Sequence, residues 1–263
     1  MTSSTLKLSA FSFGLIALAG FSSTAHSAGE MSFCTEDKDQ APYVLGTGTS
    51  LQETNPGLSI EIVKMAAERV GAKATFTRAP WKRCLALMEK GSVDGVFMGS
   101  FKTARMKLGA YPMAGGDVDP TRRLTMSSYS LYRLKGTSPS WDGKAYSGID
   151  GKVGAPLGYS IVKDLKKHDL KVEESKGTPT DFKKLNAKRI VAVAAQTTTG
   201  DQLMESGDFP NIEKVETPLV TKPYYVLLSN QLVAKDASLA NNFWKEIGAI
   251  RENEGKTLIK KYK

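Results

Sequence analysis

The sequence predicts an α/β protein built as two lobes around a cleft. Two observations carry this. A β-α-β-α-β pattern with short connections occupies residues 31–98, and a second occupies residues 152–206. Strands alternating with helices in this way argue for parallel or mixed sheets. The stretch between the two patterns is rich in turn formers and reads as a connection. The patterns share element order and not sequence, so they are not a repeat.

In the first pattern, residues 31–35 read as a strand, followed by the polar loop "TEDKDQAPYVLGTGTS". "NPGLSIEIVKMAAERVGA" is a helix with Leu58, Ile62, Val63, Ala66 and Val70 on one face, and Gly71 ends it. "KATFTRA" is a strand. Pro80 opens the next helix, which runs to Gly91, since proline suits a first turn. "VDGVFM" is the third strand. The following "GSFKTARMKLGAYP" looks helical, with Phe101, Ala104, Leu108 and also Arg105 on one face. A cation on an apolar face is costly unless an anion meets it. That anion is either a neighbouring side chain or something the protein binds.

Next, "MAGGDVDPTRR" is linker-like, "LTMSSYSLYRL" alternates as a strand does, and "KGTSPSWDGKAYSGIDG" is loop. The second pattern consists of strand "KVGAP", helix "SIVKDLKKHD", strand "LKVEES", helix "TPTDFKKLNAKR", strand "IVAVAA" and then "TTTGDQLMES". "PYYVLLS" is a further strand, and residues 236–262 form one or two amphipathic helices.

At the N-terminus, Lys7 precedes the apolar "LSAFSFGLIALAGF" and the small residues of "SSTAHSAGE". This is the pattern of a secretory signal peptide over residues 1–28, with a cut after Ser27 or after Ala25. Its apolar core is short for a membrane span. No lipobox-like cysteine lies near the cut to suggest a lipid anchor, and no second apolar stretch follows, so the mature chain is expected to be soluble and exported. The formal charge of +9 falls to +8 on removal of residues 1–28, which hold one lysine and no acid. The lysines are scattered over polar faces, with no aromatic-interleaved basic stripe to suggest nucleic acid.

Composition narrows the chemistry. Of the two histidines, His26 lies in the signal peptide and His168 sits in the charged "KKHD", so a multi-histidine metal site is excluded. No phosphate-binding loop, dinucleotide fingerprint or H-E-x-x-H is present. No catalytic residue, metal or cofactor is indicated. The two cysteines are Cys34, at the end of the first strand, and Cys84, which shares an inward helical face with Trp81, Leu85 and Met88. In an oxidising compartment an even pair reads as a disulfide, worth about 4 kcal/mol for a loop of this size. The alternative is two separate buried thiols.

Ligands of open α/β sheets bind outside the carboxyl ends of the strands. Those ends are "CTEDKDQAPY", "APW" and "MGSFKTAR" in the first lobe and "PLGYS" and "AQTTTG" in the second. At these positions the chain resembles the family 3 bacterial extracellular solute-binding proteins, periplasmic receptors that deliver amino acids and similar solutes to import permeases. "VFMGSFKTARMKLGAYP" matches the family's strand, Gly/Ser turn, Thr-x-x-Arg-like piece and "fs-x-Py" stretch, through Ser100, Arg105, Tyr111 and Pro112. "GKVGAPLGYS" matches the opening of its second lobe, "LNAKRIVAV" its "L-x-x-x-R-(I/V)-D-A" stretch, and "FWKEIGAIRENEGKTLIKKY" its closing helices. The order and spacing of these loose motifs cover essentially the whole mature chain.

The resemblance implies the two-lobed periplasmic-binding-protein fold, a Venus flytrap with two hinge crossings near residues 126–131 and 218–226. The first lobe would comprise residues 29–127 and 220–263, and the second residues 128–219. It implies a monomeric receptor for a small carboxylate-bearing solute, partnered by an inner-membrane ABC permease. Arg105 matches the position that clamps the solute carboxylate, a task suited to a planar guanidinium; the alternative is an internal salt bridge. Ser100, with Met98 and Gly99 before it, is placed to receive a carboxylate oxygen or to cap a helix. Gly158, Tyr159 and Ser160 form the turn that closes over the carboxylate from the second lobe, where free N–H groups at a helix start favour anions; Ser160 could equally cap that helix. Tyr43 and Trp81 are pocket walls or lobe core, and Asp37 is a solute contact or an exposed loop acid.

The chain departs from the family where amino-acid receptors place an aspartate for the solute ammonium. Alignment puts Gln196 there, which hydrogen-bonds but carries no charge. Val191, at the usual aspartate of "D-A", affects local packing. The expected function is therefore a non-enzymatic receptor, with the amine half of recognition open. The competing readings are a dehydratase-like enzyme on the same fold, using a cleft acid or lysine, and a sensory binding protein without a permease.

Overall fold

The computed structural model describes residues 1–2 and 29–262, so the predicted signal peptide lies almost wholly outside the described residues. The first unit contains β1 (Gly29–Glu36), α1 (Leu58–Arg69), β2 (Ala72–Ala79), α2 (Trp81–Glu89) and β3 (Gly95–Ser100). β1 pairs in parallel with both β2 and β3. Helix α1 buries Leu58, Ile62, Val63 and Ala66 against this sheet, the face its spacing predicts. Pro80 lies one residue earlier than predicted, as the extended N-cap of α2. Trp81, Cys84, Leu85 and Met88 form the buried face of α2.

Residues 103–107 form a 3-10 turn and not an α-helix. At three residues per turn Arg105 stacks with Lys102 and Leu108. Arg105 is buried as expected, but Ala104 is exposed. The linker-like stretch folds as a hairpin of β4 (Met113–Ala114) and β5 (Asp117–Val118). Gly115 and Gly116 both take positive φ there, as tight hairpin turns require.

The chain then enters β6 (Thr125–Leu134), a second small hairpin of β7 (Ser140–Trp141) and β8 (Tyr146–Ser147), and the second unit. That unit comprises β9 (Val153–Pro156), α3 (Ser160–Lys166), β10 (Val172–Ser175), α4 (Thr178–Asn186), β11 (Ala192–Gln196) and α5 (Thr197–Glu205). β12 (Ile212–Lys214) and β13 (Val220–Leu228) lead back, and α6 (Asn230–Lys235), α7 (Ala237–Asn253) and α8 (Gly255–Leu258) close the chain. β12 is not among the predicted strands, and α6 precedes the helical tail predicted from residue 236.

One sheet path links both units, in the order β10-β9-β11-β6-β13-β3-β1-β2. Its centre is the antiparallel pair β6 and β13, in register from Tyr129 opposite Val220 to Tyr224 opposite Thr125. Beyond that pairing β6 continues along β11, and β13 continues along β3. Each long strand therefore begins in one lobe's sheet and ends in the other's. Cys34 and Cys84 are joined by a disulfide with Cα atoms 5.3 Å apart, which ties α2 to β1 beneath the strand ends. No helix among the described residues is long and apolar enough to cross a membrane.

Candidate functional site

The strand ends of both lobes and the bridging pair enclose a cavity lined by Trp81, Met98, Ser100 and Arg105 from the first unit, Tyr159, Ser160 and Gln196 from the second, and Tyr129 and Tyr224 from β6 and β13. Glu36, Gln40 and Phe97 complete the wall. Its volume is about 20 Å³, room for the centres of one or two waters.

Arg105 is 6 % exposed and makes no ion pair among the described residues. Nη1 donates to the Ser100 carbonyl at 2.9 Å and Nη2 donates across the cleft to the Gly158 carbonyl at 3.1 Å. Its guanidinium carbon lies 5.2 Å from the centre of the Trp81 ring, a cation–π distance. Two of five N–H groups are thus committed, and no carboxylate among the described residues pairs with the charge. The Ser100 hydroxyl and the Trp81 indole nitrogen are both buried without a hydrogen-bond partner. Ser100 caps no helix, since the 3-10 turn has Lys102 at its N-cap.

Met98 sits at φ +63°, a left-handed conformation uncommon outside glycine and most often retained at binding sites. Gly99 is closely surrounded by side chains. A Cβ there would meet Leu227 Cδ1 at 2.7 Å and Trp81 at 3.4 Å, so the glycine lets the side chains of Leu227 and Trp81 pack closely over it. The second-lobe turn also differs from expectation. The Gly158 N–H donates to Glu174 at 3.0 Å and the Tyr159 N–H to the Pro156 carbonyl at 3.2 Å, so neither is free for an anion. Ser160 faces the cavity and receives Lys222 Nζ at 3.3 Å on its hydroxyl.

Gln196 ends β11 and reaches the bridging strands. Its Nε2 donates to the Tyr224 hydroxyl at 3.3 Å and to Ser127 at 3.4 Å, and the Tyr224 and Tyr129 hydroxyls are 2.8 Å apart. The acid that lines this cavity is Glu36, one residue before the predicted Asp37. Glu36 is 3 % exposed and accepts from Lys38 Nζ at 2.7 Å, Gln40 Nε2 at 2.9 Å and, across the cleft, the Tyr159 hydroxyl. Gln40 Oε1 is buried and unpartnered beside it. A usable signal existed, because side chains two apart on a strand share a face. Glu36 thus shares the inward face of Cys34, and Asp37 points the other way.

Asp37 lies outside the cavity, its backbone bonded to Ala79 and Gly48. Its charge acts instead on Arg78, whose pKa is held down by burial and partly restored by Asp37 and Asp39. Arg78 is the second buried arginine of the lobe. It donates to the carbonyls of Glu36, Lys38, Leu45 and Gly46 and so folds the loop that carries Gln40. Tyr43 also lies away from the cavity, packed with Leu58 and Ile62 of α1 along an outer groove. Lys102 Nζ donates to the Tyr159 carbonyl at 3.3 Å. Burial, then the charges of Arg105 and Lys222, lower its pKa to about 8.

No protein-family model matches the chain, and no curated protein does. Solved structures do. The GluR0 ligand-binding core from Nostoc punctiforme in complex with L-glutamate aligns over 88 % of this chain and 98 % of its own, with a TM-score of 0.67 and 16 % identity. An ancestral arginine-binding protein bound to glutamine aligns over 90 % and 99 %, with a TM-score of 0.69 and 16 % identity. The ancestral amino-acid-binding protein AncCDT-1, a precursor of cyclohexadienyl dehydratase, aligns over 89 % and 95 %, with a TM-score of 0.62 and 16 % identity. The chain therefore has the two-lobed fold of periplasmic binding proteins, and structures of amino-acid-binding proteins are among its neighbours.

Proposed function

We propose that the protein is an exported, periplasmic receptor of the family 3 solute-binding type, which captures a small amino-acid-like solute and passes it to an inner-membrane ABC permease. The observation that carries this is a buried, acid-free Arg105 beside the unpartnered Ser100 hydroxyl and Trp81 indole N–H, on the same cavity as Glu36 and the unpartnered Gln40 carbonyl oxygen. The first group suits a carboxylate. The second suits an ammonium or another N–H donor. The amine half of recognition, which Gln196 cannot supply as a charge, is met in this reading from the first lobe. Closure across the solute then follows from contacts on both lobes, which favour the state in which they meet. The protein acts as a binding protein and a monomer, without catalysis.

Thermal stabilisation by a panel of amino acids, dicarboxylates and polyamines tests the reading. A true ligand at about 100 times its Kd adds about 2.7 kcal/mol and raises Tm. Arg105→Ala is expected to abolish that shift with little loss of stability in the free protein. Glu36→Gln is expected to remove the preference for amine-bearing solutes over simple carboxylates. Turnover of a solute that gives no stabilisation would replace the receptor with an enzyme, and a large stability loss in Arg105→Ala with binding intact would make the arginine structural.

A further inference from the structure

A second cavity adjoins the inner one. Both are lined by Gln40 and Tyr159, and the hydrogen bonds of Tyr159 and Gln40 to Glu36 form the partition between them. The outer cavity is far larger, about 340 Å³ against about 20 Å³. It too is walled by both lobes, with Thr47 from the β1–α1 loop facing Thr178 of α4 and Thr199 and Gln202 of α5.

Its charged groups are already committed. Lys38 is paired with Glu36 at 2.7 Å, and Asp39 accepts the backbone N–H groups of Gly46 at 2.6 Å and Ala41 at 3.4 Å. Among the described residues, the side chains of Thr47, Thr178, Thr199 and Gln202 make no hydrogen bond. What remains for an occupant is neutral: three hydroxyls, one amide, and the apolar surfaces of Pro179 and Leu203. Gln40 Oε1 is buried and unpartnered where the two cavities meet.

We infer that the outer cavity binds the tail of the solute. The solute is an α-amino acid whose side chain is long and uncharged and carries an amide or hydroxyl group. Its head sits between Arg105 and Glu36, and its tail passes the Tyr159–Glu36 partition toward Thr199 and Gln202. A tail with a full charge would find Lys38 ion-paired with Glu36 and Asp39 held by two backbone N–H groups and facing the charge of Arg78, and would lose solvation without a free counter-charge to compensate it. This inference rests on the proposed reading of the inner cavity.

Calorimetric titration of the mature protein with L-alanine, L-lysine and Nε-acetyl-L-lysine separates the two. The three probes share a head and differ in having no tail, a charged tail and a neutral amide tail. Nε-acetyl-L-lysine is expected to bind about tenfold more tightly than either of the others. Thr199→Trp, which fills the outer cavity, is expected to erase that advantage and leave L-alanine within about twofold of its original affinity. Gln202→Leu, a milder change, is expected to weaken only the acetylated probe, by several-fold. The inference is overturned if L-alanine binds as well as Nε-acetyl-L-lysine, if L-lysine binds best, or if both variants weaken all probes alike. If none of the three binds, the reading of the inner cavity falls and this inference falls with it.

Discussion

Asp181 places a carboxyl group in the core of the second lobe, fully buried and with neither oxygen accepting a hydrogen bond. Burial raises its pKa to about 6 from 3.8, and nearby Ser175, Lys184 and Lys38 oppose the rise without cancelling it. An acid with a raised folded pKa binds its proton more tightly in the folded protein than in the unfolded chain. The folded state is therefore favoured at low pH, and this advantage is lost as pH climbs from about 4 through about 6. A shift of this size corresponds to roughly 3 kcal/mol. Urea midpoints measured from pH 4 to pH 7 are expected to fall through that window in the native protein and to stay nearly flat in Asp181→Asn. A slope unchanged by the substitution would place its origin elsewhere.

At the scale of elements, α2 and β1 matter most, because their ends carry Trp81 and Glu36 into one cavity. The Cys34–Cys84 bridge fixes one to the other across a separation of 50 residues, and closing a loop of that length is worth about 4 kcal/mol. The double substitution Cys34→Ser with Cys84→Ser is expected to lower Tm by about 10 °C. It should also weaken solute binding, since Trp81 and Glu36 lose their tether; unchanged binding would show that packing alone positions them. The sequence made these elements legible where long apolar periodicities and turn residues agreed, as in α1 with its Leu58–Val63–Ala66 face. It also showed Arg105 to be buried. It misread the stretch around Arg105, because five residues with one buried face do not distinguish a 3-10 turn from an α-helix. It chose Asp37 over Glu36 because adjacent acids look alike until strand alternation is extended into the loop. It could not show the left-handed backbone of Met98, or the loop of Gln40 held by Arg78 from another strand, because both depend on contacts remote in sequence.

In the whole molecule, the lobes are joined covalently through β6 and β13 and meet through a small set of polar contacts. Arg105 reaches Gly158, Tyr159 reaches Glu36, Lys102 reaches the Tyr159 carbonyl, and Lys222 on β13 pairs with Asp164 of α3. Within this set, Lys102 has its pKa moved toward neutrality. Burial and the neighbouring cations Arg105 and Lys222 lower its folded pKa to about 8 from 10.5, with Asp164 opposing them. In the folded free protein the disfavoured charge is shed as pH passes about 8, whereas the unfolded chain keeps it up to about 10.5, so its cost to stability disappears as pH rises through that window. A solute carboxylate beside Arg105 reverses the preference, because an anion favours the protonated lysine. Binding then takes up a proton near pH 8 to 9, and affinity falls as pH rises above about 8. The decline is expected to be on the order of tenfold between pH 7 and 9.5. Titration calorimetry in two buffers of different ionisation enthalpy would detect the proton directly. Lys102→Met is expected to bind more weakly at pH 7 and to lose both the proton uptake and most of the pH dependence, any remaining slope belonging to the solute's own amine. An affinity that stays level from pH 7 to 9.5 in the native protein would mean that Lys102 does not sense the solute, and that Arg105 meets the carboxylate alone.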